Sequence, residues 1–183
     1  MERRTFVKGV LAAPILSTAQ LARDGAPAPT DRAVYVPAGE DRFGEPLALR
    51  VPLHRKVATE DSNGGVFLFQ QRTLEKGGPF RHLHHEQDEW FFVVEGEFAF
   101  EVGDESFRLS AGDSLFAPRG VPHAWAHVDE SPGSMMVMVQ PAGDLEAFFG
   151  RLAGLSRPPT WDERAAMLEA HGMSLVGPPL PVD

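Results

Sequence analysis

Residues 77–96, GGPFRHLHHEQDEWFFVVEG, and residues 112–127, GDSLFAPRGVPHAWAH, carry the most specific information in this chain. The first stretch contains two histidines separated by one residue and then a glutamate, and the second contains a histidine just after a turn rich in proline and glycine. Imidazole nitrogens and carboxylate oxygens are common ligands of divalent cations. The two stretches therefore predict a site for one divalent metal ion, with the ligands His82, His84, Glu89 and His123.

A β-strand explains the spacing of the first two ligands. Alternate residues of a strand point to the same face of a sheet, so His82 and His84 present both imidazoles to one side. Glu89 has the wrong parity for an unbroken strand, but the polar residues 85–88 can form a bend that resets the alternation. Its carboxylate can then turn toward the two histidines.

Both stretches resemble the two motifs of the cupin superfamily, G-x5-H-x-H-x3/4-E-x6-G and G-x5-P-x-G-x2-H-x3-N. The second motif matches at every fixed position except the last, where His127 replaces asparagine. In the first motif, Gly77 lies one residue nearer to His82 than in the pattern. Neither departure removes a ligand. The resemblance implies an all-β fold, the cupin jelly roll, in which two antiparallel sheets form a β-barrel.

Several short runs of β-forming residues, separated by turn residues, are consistent with such a barrel over residues 47–141. They cover residues 66–74, 90–94, 97–102, 106–109, 114–116, 124–128 and 134–139. Residues 23–46, rich in Ala, Pro, Gly and Asp, are interpreted as a linker or as an arm that lies along the barrel.

The C-terminal residues 142–183 change to helical periodicity. Apolar residues recur at helical spacing from Leu145 to Leu152, and Thr160 with Glu163 forms a capping box that predicts a second helix ending at Gly172. We expect this short helical tail to cover the outside or an open end of the barrel. The alternative role of its apolar faces is to form a homodimer.

Composition limits the classes of function. The chain has 183 residues, which suits one domain, and its net charge of -9 argues against binding to nucleic acid or anionic membranes. It contains no cysteine, so disulfides, thiol catalysis and thiolate metal ligands are excluded.

Residues 1–22 resemble a bacterial twin-arginine export signal. Arg3-Arg4 precedes a modestly apolar stretch, residues 9–22, with candidate cleavage sites after Ala19 and Ala22. That stretch is too short and too interrupted for a stable membrane span. The resemblance implies export to the periplasm, and the alternative is a cytoplasmic protein with a non-functional leader.

The remaining histidines and two phenylalanines are assigned secondary roles. His127 shares the strand parity of His123, which predicts that it faces the cavity and hydrogen-bonds a ligand or substrate, with packing as the alternative. Phe67 and Phe69 are candidate substrate contacts, since nine phenylalanines between residues 67 and 116 favour an apolar cavity. His54 and His171 are expected at the surface, and His85 at the surface or beside a metal ligand, with a direct ligand role as the lesser alternative.

The donor set indicates the metal. Three nitrogens and one oxygen leave two open positions on an octahedral ion, which suits Mn, Fe, Co or Ni, whereas tetrahedral Zn would be filled by the four protein groups. Glu89 could also act as a catalytic base toward a bound hydroxyl.

Residues 67–149 are most similar to single-domain cupins grouped with quercetin 2,3-dioxygenase. This resemblance implies a dioxygenase that uses O₂ on a small aromatic or enol-bearing substrate, with Glu89 as the base. One alternative is a non-catalytic module that binds metal or a small molecule. A metal-dependent sugar-phosphate isomerase is another, because four basic residues could bind phosphate, namely Arg72, Lys76, Arg81 and Arg119.

Overall fold

Alternating buried and exposed residues define the strands of this protein, whose computed structural model describes residues 30–182. Strand Asp88–Glu95, for example, buries Glu89, Phe91 and Val93 and turns the residues between them outward. The leader and the first part of the predicted linker lie outside the described residues. The strands within 30–182 are β1 (Leu53–Val57), β2 (Phe67–Thr73), β3 (Phe80–His84), β4 (Asp88–Glu95), β5 (Glu97–Val102), β6 (Glu105–Ser110), β7 (Ser114–Ala117), β8 (His123–His127), β9 (Gly133–Gln140) and β10 (Met173–Pro179).

The strands form two five-stranded antiparallel sheets. One sheet has the order β1-β2-β9-β4-β7 and the other β10-β3-β8-β5-β6. Neighbours in each sheet are mostly distant in sequence, as in a jelly roll, where the chain crosses repeatedly from one sheet to the other. This confirms the predicted all-β, double-sheet fold.

The core lies between the two sheets and is rich in aromatic rings. Phe91 of β4 meets Phe100 of β5 from the opposite sheet, with ring centroids 5.0 Å apart. Both are almost completely buried. Burying a phenylalanine contributes about 1.5–3 kcal/mol, so facing pairs of this kind hold the sheets together and keep the strands that carry the metal ligands in place.

The helical tail is confirmed, but it ends in a strand that the sequence did not predict. Helices α1 (Leu145–Ala153) and α2 (Trp161–Glu169) follow β9, and a short 3-10 helix (Thr59–Ser62) precedes β2. The capping box at the start of α2 is present, with Thr160 accepting from the Glu163 amide and the Glu163 carboxylate accepting from the Thr160 amide. After Gly172 the chain forms β10, which pairs with β3. None of the helices in residues 30–182 is long and apolar enough to cross a membrane.

The described part of the N-terminal arm lies against the barrel. Asp41 is buried and accepts hydrogen bonds from the Arg55 guanidinium of β1 at 2.8 Å. Arg42 donates to Asp61 at 3.0 Å. These two ion pairs fasten residues 41–42 to β1 and to the 3-10 helix that follows it, so this part of the chain is an arm against the barrel rather than a free linker.

Candidate metal centre

Three strands bring the four predicted ligands together. His82 and His84 lie on β3, His123 begins β8, and Glu89 lies on β4 of the opposite sheet. His82 pairs directly with His123 in the β3–β8 ladder. Residues 85–87 leave the strand between β3 and β4, which confirms the bend that turns Glu89 inward.

We refer to His82, His84, Glu89 and His123 as the ligand cluster. One donor atom from each of the four lies within 4.8 Å of all the others. Opposite ligands of an ion with bonds near 2.1 Å are separated by about 4.2 Å, so movements of a few tenths of an ångström would bring all four into bonding range. Glu89 Oε2 lies 2.9 Å from His123 Nε2 and 3.4 Å from His84 Nε2.

Hydrogen bonds set the orientation of every imidazole in the ligand cluster. Each ring places its Nδ1 atom against an acceptor oxygen, so Nδ1 carries the proton and donates. The Nε2 atom then has its lone pair free and points into the cluster. The Nδ1 contacts are His82 to the carbonyl of Phe80 at 2.8 Å, His84 to Gln87 Oε1 at 3.0 Å, and His123 to the carbonyl of Val121 at 3.1 Å.

These residues fit a divalent transition metal ion. His84 Nε2 is buried and makes no hydrogen bond with any part of the described chain. A buried polar atom without a partner is costly, and a cation among the three Nε2 atoms and the carboxylate would relieve that cost. The ligand cluster therefore has the donor types, the orientation and the convergence that such an ion requires.

The electrostatics of the cluster follow from burial and mutual contact. Burial raises the pKa of Glu89, but the hydrogen bond with His123 and the close approach of His84 outweigh it and hold that pKa well below its usual value. Burial lowers the pKa of His82 to about 3, helped by the charges of His123 and His84. For His84, burial lowers the pKa, yet the Glu89 carboxylate, 3.4 Å from Nε2, raises it above the usual value. Without a cation, Glu89 is thus an anion held beside two imidazoles.

Gln87 is a functional residue that the sequence analysis missed. Its side chain is buried, and its Nε2 donates to the carbonyl of Ala142 at 2.7 Å, which turns Oε1 toward His84 Nδ1. The amide of Gln87 therefore selects the tautomer of His84 that frees Nε2. Gly143 makes room for it, since a Cβ there would lie 2.2 Å from Gln87 Nε2. The sequence contains one signal for this role: Gln87 lies in the bend between His84 and Glu89. The polar residues of that bend were assigned only a turn.

The secondary residues divide between the core and the cavity. His127 is fully buried, its Nδ1 donates to the carbonyl of Glu75 at 3.1 Å, and its ring packs on Phe98. It does not line the cavity described below, so the packing alternative describes its position. Phe69 lines that cavity, whereas Phe67 is in the core beside it.

The expectation that the other three histidines lie at the surface holds for only one of them. His85 is exposed, as predicted. His54 and His171 are half-buried instead. The Nδ1 of His171 donates to the carbonyl of Met167 at 2.7 Å, and its ring packs on Phe148. Residues of helices α1 and α2 therefore partly cover this side chain.

The ligand cluster opens on a cavity of about 760 Å³. His82, His84 and Glu89 line one part of it, and mostly apolar residues line the rest. Helix α1 supplies much of this apolar wall, so the tail covers the open end of the barrel, as expected. The apolar lining includes Leu49, Phe69, Phe80, Trp125, Val137, Leu145, Phe148, Phe149 and Leu152.

The basic residues considered for phosphate binding do not converge in this cavity. Of the four, Lys76 lines it, whereas Arg72 is exposed elsewhere. Arg81 pairs with Glu101, and Arg119 pairs with Asp88 at 2.7 Å, both outside the cavity wall. Of these four residues, only Lys76 is therefore placed to contact a molecule in the cavity.

Comparison with known proteins gives matches over the barrel. Residues 70–139 match the family model described as a cupin domain. An uncharacterized protein of Streptomyces coelicolor is 37% identical over 77 residues, which cover 42% of this chain and 69% of that protein.

Two similar solved structures share parts of the fold. KdgF from Halomonas sp. is 23% identical with a TM-score of 0.46, and the match covers 52% of this chain and 83% of that one. A sugar phosphate isomerase of the cupin superfamily from Silicibacter pomeroyi is 21% identical with a TM-score of 0.44, over 49% of this chain and 58% of that one.

Proposed function

This chain belongs to the cupin family, and we propose that its ligand cluster holds one divalent transition metal ion at the base of a substrate cavity. One observation carries the proposal: all three imidazoles donate through Nδ1, so three Nε2 lone pairs and a carboxylate converge on one point. Elemental analysis of protein purified without chelator tests it, with His123→Ala expected to lose the metal. His85→Ala is the matched control, since His85 is exposed and outside the cluster.

The donor set supports Mn, Fe, Co or Ni over Zn. Three nitrogens and one oxygen would leave open positions on an ion of higher coordination number, and the cavity beside the ligand cluster gives a substrate room to reach them. A tetrahedral ion would have no position left for a substrate. Raw affinity follows the Irving–Williams order whatever the native ion, so activity decides the choice: oxygen uptake supported by Zn and not by Mn, Fe, Co or Ni would contradict it.

The proposed activity is an oxygen-using oxidation of a small aromatic or enol-bearing molecule. The apolar cavity supports an aromatic substrate, since rings such as Phe69 and Phe149 offer edge and face contacts. When bound, the metal ion would acidify a substrate hydroxyl and supply the redox chemistry. The chain itself lines the cavity with apolar side chains of helix α1 and would hold a carboxylate beside the substrate.

Glu89 is proposed as the base that accepts the substrate proton. It lies on the cavity wall within the ligand cluster, so its carboxylate is placed to reach a hydroxyl that binds beside it. One carboxylate oxygen would accept the proton of that hydroxyl.

Glu89→Gln tests this role. The variant should lose oxygen uptake with a flavonol and polyphenol panel yet retain some metal, because the amide still offers an oxygen but cannot accept a proton. Glu86→Gln is the control, since Glu86 is exposed in the adjacent bend. Turnover of Glu89→Gln at the wild-type rate would exclude the mechanism. Ligand-induced thermal stabilisation without consumption would instead favour a non-catalytic binding module.

A further inference from the structure

The cavity wall is basic although the chain as a whole is acidic. The residues that line the cavity include four basic side chains and a single acidic one, Glu89, whereas the net charge of the chain is -9. The four are Arg50, Lys76, Arg157 and Arg164. A wall of this charge favours a negatively charged occupant.

Three of these four cations are paired with carboxylates outside the cavity wall. The pairs are Arg50 with Glu75 at 3.1 Å, Lys76 with Glu130 at 2.6 Å, and Arg157 with Glu163 at 2.7 Å. Arg164 differs, because no carboxylate of residues 30–182 pairs with it or accepts a hydrogen bond from it. Its positive charge is therefore uncompensated within that part of the chain.

Arg164 is also held in place. It lies on α2, and its guanidinium carbon lies 4.4 Å from the centroid of the Phe80 ring, a cation–π contact. Phe80 begins β3, the strand that carries His82 and His84. Burial lowers the pKa of Arg164 from its ordinary value, as desolvation without a compensating anion does.

The other half-buried arginines of the described chain each form an ion pair with a carboxylate. Arg42 pairs with Asp61, Arg55 with Asp41, and Arg81 with Glu101. Each of these arginines is half-buried, as is Arg164. Half-buried arginines in the described chain thus have a carboxylate partner except at Arg164, which lines the cavity.

We propose that Arg164 binds a carboxylate of the substrate. This inference rests on the proposed function and narrows its substrate class: the aromatic or enol-bearing molecule carries a carboxylate at the end remote from the metal. The planar guanidinium offers two parallel N–H donors that match the two oxygens of a carboxylate. The ligand cluster would hold the hydroxyl-bearing end, and Arg164 would select acids over neutral compounds of the same shape.

A carboxylate fits better than a phosphate group. A phosphate dianion carries a second negative charge that Arg164 alone would leave unbalanced, and the other basic residues of the wall are already paired. A single guanidinium balances a single negative charge. The apolar residues around it also suit an aromatic acid more than a hydrated sugar phosphate.

The test compares acids with their neutral amides. Metal-loaded protein is titrated calorimetrically with 3,4-dihydroxycinnamate and its primary amide, and with the shorter 3,4-dihydroxybenzoate and its amide. The same titrations use Arg164→Gln and the control Arg151→Gln, which removes an exposed arginine of α1 outside the cavity wall. Metal content is measured for every sample.

Wild-type protein should bind at least one acid roughly tenfold to a hundredfold more tightly than its amide, the range expected for hydrogen bonds to a charged group. Arg164→Gln should bind that acid only as tightly as the amide, with amide affinity unchanged, and Arg151→Gln should behave as wild type. Equal affinity of wild-type protein for acid and amide in both pairs, or binding of neither, overturns the carboxylate site. If Arg164→Gln loses the same affinity for the acid and for the amide, the role of Arg164 is structural, and the carboxylate site is again overturned. Wild-type protein that cannot be loaded with metal refutes the proposed function instead, so the two failures are distinct.

Discussion

Replacing Gln87 tests whether the ligand cluster depends on the residue that orients it. In Gln87→Leu, His84 Nδ1–H loses its acceptor at 3.0 Å and the carbonyl of Ala142 loses its donor at 2.7 Å. The imidazole N–H stays buried without a partner, because Gln87 itself is only 4% exposed, whereas the Ala142 carbonyl keeps a longer bond from the Leu145 amide at 3.4 Å. The unsatisfied N–H costs about 1–3 kcal/mol and the lost bond to the carbonyl about 0.5–1.5 kcal/mol, so the metal-free protein should lose about 1.5–4.5 kcal/mol of unfolding free energy.

The metal affinity should fall as well. Loss of the hydrogen bond that orients a ligand histidine typically weakens metal binding by about 10–100-fold. Competition titration with Co²⁺ and a chelator measures this effect, and urea unfolding of the metal-free protein measures the change in stability. Gln140→Leu is the matched control, since Gln140 is exposed at the end of β9.

A second substitution separates the two effects. Gln87→Glu keeps an acceptor for His84 Nδ1–H but cannot donate to the Ala142 carbonyl. We expect it to retain metal affinity within about threefold of wild type while still losing stability. If Gln87→Leu binds Co²⁺ as tightly as wild type, the hydrogen bond does not orient His84, and our account of its tautomer is wrong.

Three further predictions concern packing, acid stability and export. Gly78→Ala should cost more than about 2 kcal/mol, because its Cβ would lie 1.7 Å from a carbonyl oxygen of β8, whereas Gly150→Ala in α1 has open space and should add about 0.5–1 kcal/mol in urea unfolding. A hydrogen bond from Arg42 holds the pKa of Asp61 below its ordinary 3.8 despite burial, so this pair stabilises the fold above about pH 4 and its contribution is lost as the pH falls further; Asp61→Asn should flatten that decline, and an unchanged profile would argue against the pair. Changing Arg3-Arg4 to Lys-Lys should leave an uncut precursor inside the cell, and an unchanged distribution with an intact N-terminus would exclude twin-arginine export.

The sequence predicted the ligands because local periodicity determines them. The single residue between His82 and His84 places both rings on one face of any strand, whatever the strand pairs with. The motif of residues 112–123 likewise contains its own turn residues and its own ligand. The predicted ligands are therefore the ones that converge in the structure.

The interpretation of His127 shows where local parity stops being informative. It shares a strand with His123, and parity predicts that both face inward. Both are buried, yet only His123 joins the ligand cluster, because the residues opposite His127 are Phe98 and the glycine at position 133 rather than the cavity. Parity gives the face of a sheet but not the part of the interior that the face contacts.

The sequence by itself predicted the four residues of the ligand cluster and the helical period of the tail from spacing within short segments, and it predicted the all-β architecture from short strands and from the resemblance of two motifs to those of the cupins. Only the tertiary structure brought His82 into register with His123, placed Gln87 behind His84 and returned β10 to pair with β3. Only the tertiary structure, too, placed Arg164 on the wall of the metal cavity, 80 residues along the chain from His84. Such contacts join residues that are distant in sequence, and they form only when burial of the shared core brings the sheets and helices together.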